Sequence, residues 1–307
     1  MSLDASYLEY PKRRHGMDHD LYPWTNIRER KPVLWPEGKS VALLLSVPLE
    51  YFPLEVKDKP FKAPGHMQTP YPDLRHYSSR EYGTRVGFYR FLDLFAKHGL
   101  KASITMNAAI AERYPELVRD VQAAGHEIIA HSTDMNGIQF GGQDEAEERA
   151  LIRDTLDRLE RATGTRPTGW HSIARSQSFN TPRLLTEAGV RYMCDWPNDD
   201  LPYVMTTEAG EIINLPLNHE LADRQIITVC QNSESDWAEQ MKDAHSCLAG
   251  EAERFGGRVL PITLTPYIMG LPYRIAALDE TLGWLASQPA TWSATAGEIV
   301  SAWTAQA

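Results

Sequence analysis

The run VALLLSV at residues 41–47 decides the fold. It has the length of one strand, and its apolar residues do not alternate with polar ones. That pattern belongs to a parallel strand covered on both faces, because a strand with one wet face would show a period of two. Downstream, Phe88, Phe91, Leu92 and Phe95 recur at helical spacing and stop at Gly99, after which the strand KASITM follows at once. The alternation then repeats: helix 115–124, strand HEIIA, helix 144–162, a strand near 168–170, helix 181–188 and strand VRYMC. Strands alternating with helices are parallel βα units. In the helix over 144–162, Asp144, Glu145, Glu147 and Glu148 open the first turn and Arg158 and Arg161 close the last, which suits the macrodipole, and Ile152, Leu156 and Leu159 form its buried stripe.

Beyond Asp195 a Pro- and Asp-rich loop leads to short strands EIINL and QIITV, a helix over 235–253, strand RVLPITL, and helices over 275–286 and 296–303. Five or more βα units with irregular insertions predict a closed or partly closed barrel. Prolines 53, 60, 64, 70 and 72 predict a long loop from Tyr51 to Arg80, of the kind that serves as a lid or binding loop. Residues 1–40 read as an extended arm that docks through Tyr22, Trp24 and Trp35, and residues 41–307 as one catalytic domain. The apolar surface of arm and loop predicts a homo-oligomer, a dimer or tetramer.

Bulk properties narrow the function. The chain has 307 residues, 42% of them apolar, with a net charge of −10, which argues against nucleic acid or an anionic membrane as partner and favours a small neutral or cationic molecule. Lys12, Arg13 and Arg14 are the local exception and read as a solvated arm. No stretch approaches the roughly 18 apolar residues of a membrane span. The first twenty residues lack the apolar core of a secretion signal, so a cytoplasmic location is expected. Cys194, Cys230 and Cys247 show no CxxC spacing and predict neither disulfides nor a Cys-based zinc site.

In parallel α/β folds the reacting groups stand just past the carboxyl ends of the strands. Those exits hold Glu50, His131, His171 with Arg175, then Asp195, Trp196 and Asn198, and finally Thr265. Each alone is as well explained as a loop anchor or helix cap; their convergence on one rim is what points to a site. His126 begins its strand at the opposite rim and reads as structural, and Glu127 must be hydrogen-bonded if buried. The remaining histidines, His15, His66, His76, His98, His219 and His245, read as surface residues, while His19 on the arm stays a candidate.

These residues resemble the polysaccharide deacetylases with NodB homology: an acid after the first strand, the phrase AGHEIIAHS ending at His131–Ser132, and Asp195–Trp196 after a later strand. Within that family the phrases YGTRVG (82–87), GW (169–170), TPRLLTEAGVRYMCDW, NDD (198–200) and TPYIMGLPYR (265–274) look most like the metal-independent allantoinases and cyclic imidase-like proteins. The resemblance spans about residues 41–286. It implies a distorted (β/α)7-type barrel and hydrolysis of a C–N bond in a small cyclic amide, ureide or imide, with no cofactor. The deacetylases' ligand set is broken here: four residues past His131 stands Met135, a poor ligand for Zn²⁺, the first strand offers only Glu50, and Thr265 stands where a late histidine is usual. Glu50 is then expected as general base on water, with His131 and Asp195 as its catalytic companions. Arg85, Arg175 and Asn136 are expected to polarise the carbonyl, with His171, Asn198 and Thr265 also on the substrate and Trp170 and Trp196 walling the pocket so that desolvation raises the base's pKa. Three alternatives stay open: a Zn²⁺ or Mn²⁺ site rebuilt from Glu50, His131 and His19; N-deacetylation of an acetylated sugar; and a silent member that only binds a ligand.

Overall fold

The computed structural model describes residues 19–55, 70 and 72–306. Among these residues the strands are β1 (Val41–Leu49), β2 (Ala102–Met106), β3 (Glu127–Ala130), β4 (Gly169–Trp170), β5 (Tyr192–Met193), β6 (Tyr203–Thr207), β7 (Gly210–Asn214), β8 (Arg258–Thr263) and β9 (Thr291–Ser293). The main path runs β6-β7-β5-β4-β3-β2-β1-β8, with β9 paired to the start of β1. Every pairing is parallel except the β6–β7 hairpin. The sheet curls into a distorted (β/α) barrel, as the alternation predicted. Its path ends at β6 and β8 without a ladder between them, and loops and the arm bridge that seam: Val259 N–H donates to Asp200 O at 2.9 Å, Gly257 N–H to Val33 O at 2.7 Å, and Trp35 Nε1 to Arg258 O at 2.9 Å.

All nine residues of β1 are buried, as a central parallel strand requires. Pro48 sits within it without penalty. Pairing with β8 stops at Ser46 and Thr263, while β2 continues to Leu49, so the missing N–H of Pro48 has no β8 partner to lose. The two strands part there, and Glu50 follows directly at the opening.

The helices are α1 (Leu74–Tyr82), α2 (Phe88–His98), α3 (Ala108–Arg113), α4 (Pro115–Ala123), α5 (Glu145–Thr163), α6 (Thr181–Glu187), α7 (Glu234–Phe255), α8 (Pro266–Met269), α9 (Ile275–Ser287) and α10 (Ala296–Thr304). Caps place several of them: Asp144 accepts from Ala146 and Glu147 N–H, Gly99 takes a left-handed φ of 64°, and Ser233 with Asp236 forms a capping box. Two expectations fail for local reasons. The predicted loop to Arg80 ends earlier, because Asp73 caps α1 by accepting from His76 N–H at 2.9 Å; its stretch 56–69, and with it the lid expected there, lies outside the described residues. QIITV is a π-helical turn, Arg224–Val229, and not a strand. A five-residue run with three apolar members, Ile226, Ile227 and Val229, fits either form, and Asp223, accepting from Arg224 N–H at 2.7 Å, settles it as helical. The strand β6 and its antiparallel hairpin with β7 were not foreseen.

The described part of the arm docks on its own domain. Leu21 O accepts from Thr206 N–H at 2.6 Å, the Tyr22 ring packs on Tyr203 and Trp196, Arg30 pairs with Asp199 at 2.5 Å, and Trp35 is buried against Trp292. Trp24 is 72% exposed, so it does not share in the docking expected of it. Lys12, Arg13, Arg14, His15 and His66 lie outside the described residues. Among the described residues no helix is long and apolar enough to cross a membrane.

Candidate active site

The exits of β1, β2 and β3 are cross-braced by one residue that the strand reading passed over. Asn107, buried at the end of β2, accepts from Tyr51 N–H through Oδ1 at 2.7 Å and donates from Nδ2 to His131 O, while its own N–H reaches Leu49 O at 3.2 Å. One amide side chain thereby holds the backbone beside Glu50 against the backbone of His131. The ladder continues with His131 N–H to Met106 O at 3.1 Å and His171 N–H to Ala130 O at 2.9 Å.

Glu50 is the centre of the cluster. Its Oε2 accepts from Arg224 Nη2 at 2.7 Å and from Tyr267 OH at 3.2 Å, and Arg224 Nη2 also reaches Tyr267 OH at 2.5 Å. Burial by itself would raise the Glu50 pKa, but Arg224, with His131 and Arg80 nearby, outweighs it and holds the carboxyl below its usual range. The expectation of a base raised by tryptophan walls is therefore corrected: the decisive neighbour is a guanidinium from the π-helical turn. Tyr267 arrives on α8, which approaches α2 backbone to backbone. A Cβ on Gly87 would stand 2.1 Å from Pro266 O, and one on Gly270 would stand 2.5 Å from the Gly87 Cα. The glycines of YGTRVG and TPYIMG thus serve one contact. Arg85, between them, points outward at 73% side-chain exposure, with Glu81 at 3.7 Å, and is not part of the cluster.

His131 is 2% exposed, and its Nδ1 lies 2.6 Å from His171 O. A carbonyl oxygen only accepts, so Nδ1 carries the proton and Nε2 keeps a lone pair. Burial holds this imidazole below the usual histidine range in spite of Glu50 beside it, so it is neutral near pH 7. The His171 ring stacks on it at 5.2 Å.

Asp195 is brought to the same rim, but its oxygens are occupied. They accept from Ser172 N–H at 2.7 Å, Ser172 Oγ at 2.8 Å and Gln177 Nε2 at 2.5 Å, and burial pushes its pKa up to about 6. The catalytic part expected of Asp195 gives way to a positioning one: it holds the loop that carries His171 and Arg175. Thr265 is likewise engaged, donating from N–H and Oγ1 to Asp223 at 2.6 and 2.8 Å, and burial pushes Asp223 up to about 7. That clamp joins α8 to the turn of Arg224.

Further expectations are corrected. Trp170 is fully buried in the core, with Nε1 donating to Ser172 Oγ at 2.9 Å, so it supports the loop from below and lines no pocket. Asn198 bonds the Tyr22 and Tyr203 hydroxyls at the docked arm, and Asn136 donates to Glu55 O at 3.2 Å, so both tie loops together. Trp196 is half-buried between the arm and Gln177, whose Oε1 accepts from its Nε1 at 2.8 Å. Of the histidines, His76 and His245 are buried and not at the surface; His245 bonds Thr291 Oγ1 at 2.9 Å. His126 accepts from Ala102 N–H at 3.3 Å, a structural place, and Glu127 bonds Ser103, Tyr192 and Gly297.

Among the described residues, those named for a rebuilt metal site are engaged otherwise. His19 packs its ring against Tyr22 and Trp196, Met135 is buried with Phe52 and Ile173, and the ion-paired Glu50 oxygen already meets a cation. Among the described residues no group of three or more His, Cys, Asp or Glu side chains could hold a metal ion.

The sequence profile of the polysaccharide deacetylase family matches residues 81–193. A curated putative polysaccharide deacetylase of Schizosaccharomyces pombe (strain 972) is 25% identical over 315 residues, covering 95% of each chain. Among solved structures, PuuE allantoinase superposes with a TM-score of 0.82 at 30% identity, over 92% of this chain and 98% of its own. A probable polysaccharide deacetylase from Pseudomonas aeruginosa PAO1 does so with 0.81 at 28%, over 93% and 99%. With a likeness of that extent on a shared curled sheet, the chain belongs to the polysaccharide deacetylase superfamily of hydrolases.

Proposed function

We propose that the chain hydrolyses a C–N bond of a small cyclic amide, ureide or imide, without a metal. The observation that carries this reading is the Glu50–Arg224–Tyr267 cluster beside the lone pair of His131 Nε2, and the similarity to an allantoinase over nearly the whole chain supports the C–N specificity. The chemistry follows from the protonation states. Water attacks the carbonyl carbon, its proton passes to His131 Nε2, and the carbonyl electron pair moves to oxygen. Collapse of that adduct breaks the C–N bond as the imidazolium returns the proton to the leaving nitrogen. Glu50 was expected as the base itself. Its ion pair makes it a weak proton acceptor, and its negative charge instead favours the imidazolium.

The test is hydrolysis of allantoin, hydantoins, succinimide and acetylated chito-oligomers by purified protein before and after exhaustive chelation. Turnover of a cyclic compound that survives chelation is the expected result; replacing His131 with Ala should lower kcat by about 10² to 10⁴-fold, and Glu50→Gln, which removes the charge that favours the imidazolium, should lower it as well. Deacetylation of the chito-oligomers, or activity restored only by Zn²⁺ or Mn²⁺, would overturn the proposal.

A further inference from the structure

The loop after β4 holds two polar groups that the reaction above does not use. His171 is 8% exposed, and neither ring nitrogen has a hydrogen-bond partner among the described residues. Buried polar atoms are normally paired, so a histidine with both nitrogens empty marks a place where something else binds. Arg175 stands four residues on. Its Nε is buried without a partner, its Nη1 donates to His219 Nδ1 at 3.2 Å, and it forms no ion pair among the described residues. The backbone is held in an unfavourable form to put it there: Ala174 and Arg175 both take left-handed φ, 53° and 57°. Asp195 and Ser172 fasten the loop from beneath.

No carboxylate forms a direct ion pair with this guanidinium among the described residues, and Asp195 and Glu220 act on it only from longer range. Arg224 is matched by Glu50, Arg80 lies over the Phe52 and Tyr267 rings, and the Asp195 oxygens already accept three hydrogen bonds. The chain is acidic as a whole, yet three arginines, Arg80, Arg175 and Arg224, stand near Glu50 and His131 at this rim. We infer that Arg175, with His171 beside it for the amide edge, forms a recognition subsite for a carboxylate on the substrate, so that the preferred substrates are carboxylate-bearing cyclic amides or ureides. The fork of an arginine matches the two oxygens of a carboxylate, which a neutral ring such as hydantoin lacks. Burial, with His131 and Arg175 close by, holds His171 well below the usual histidine range. The neutral ring then offers one donor and one acceptor, the complement of an amide edge. The inference deepens the hydrolase reading and names its substrate class.

The experiment compares hydantoin-5-acetate with its methyl ester, by calorimetric binding and by turnover, in wild type, Arg175→Met and Arg175→Lys. Wild type should favour the acetate over the ester. In Arg175→Met that preference should fall by about 10- to 100-fold, and Arg175→Lys, which keeps the charge and loses the fork, should restore part of it. Circular dichroism checks that the variants fold. If the ester binds as well as the acetate, or the preference is the same in Arg175→Met, the subsite is wrong even where both compounds are hydrolysed. If the acetate binds through Arg175 but neither compound is turned over, the subsite stands and the hydrolase reading falls.

Discussion

Arg224→Met removes the charge that stabilises Glu50 while keeping the aliphatic stem. The Glu50 side chain is 4% exposed and that of Arg224 20%, so solvent screens the pair little and a carboxylate left behind would be nearly dry. Breaking a buried ion pair by deleting one partner costs about 3–5 kcal/mol. With an unfolding entropy of roughly 2.1 cal/mol/K per residue over 307 residues, the melting temperature should fall by about 5–8 °C at pH 7. The loss should depend on pH. In wild type the Glu50 pKa is depressed in the fold, so its contribution is present above the ordinary value of 4.5 and fades as pH falls through the folded one. Without Arg224 burial raises the pKa, and the carboxylate then costs stability as pH climbs above 4.5. The gap between the two proteins should therefore widen from pH 4 to pH 7, as followed by differential scanning calorimetry. The double variant Arg224→Met with Glu50→Gln should recover most of the loss, because it leaves no charge behind. A double variant that melts no higher than Arg224→Met, or a gap that does not change with pH, would refute the reasoning.

Asn107→Ala leaves Tyr51 N–H and His131 O without their partner, at about 1–3 kcal/mol each, and frees the strand exits from one another. It should lower kcat more than it raises KM in steady-state assays, since it misplaces the reacting groups and not the substrate; a pure KM effect would count against the brace. Trp170→Ala should cost about 3–5 kcal/mol in denaturant unfolding because it empties the core. Trp170→Phe, which retains the packing and loses only the bond to Ser172 Oγ, should be markedly milder, and equal losses would argue against a packing role.

How much was legible in the sequence follows from which contacts are local. The unbroken apolar run of β1, the alternation of strands and helices, and the rule that parallel strands point their carboxyl ends to one rim were enough to single out Glu50, His131, His171 and Arg175. The structure puts all four at that rim. Caps such as Asp144 and Gly99 were legible for the same reason, since they act within one turn of their own helix. The partners that set the chemistry were not. Arg224 and Tyr267 meet Glu50 from 174 and 217 residues away, on a π-helical turn that resembled a strand and on a four-residue helix that reaches its place across Gly87. The exits named Glu50 and the resemblance made it the base, but only the folded chain supplies the guanidinium that makes it a weak one, and only the His171 carbonyl decides which nitrogen of His131 keeps its lone pair. The same limit misplaced Trp170: a strand's periodicity does not say which side the curled sheet fills with core. A residue's type and strand position are carried by the chain itself, whereas its protonation state depends on charges and burial brought together by folding.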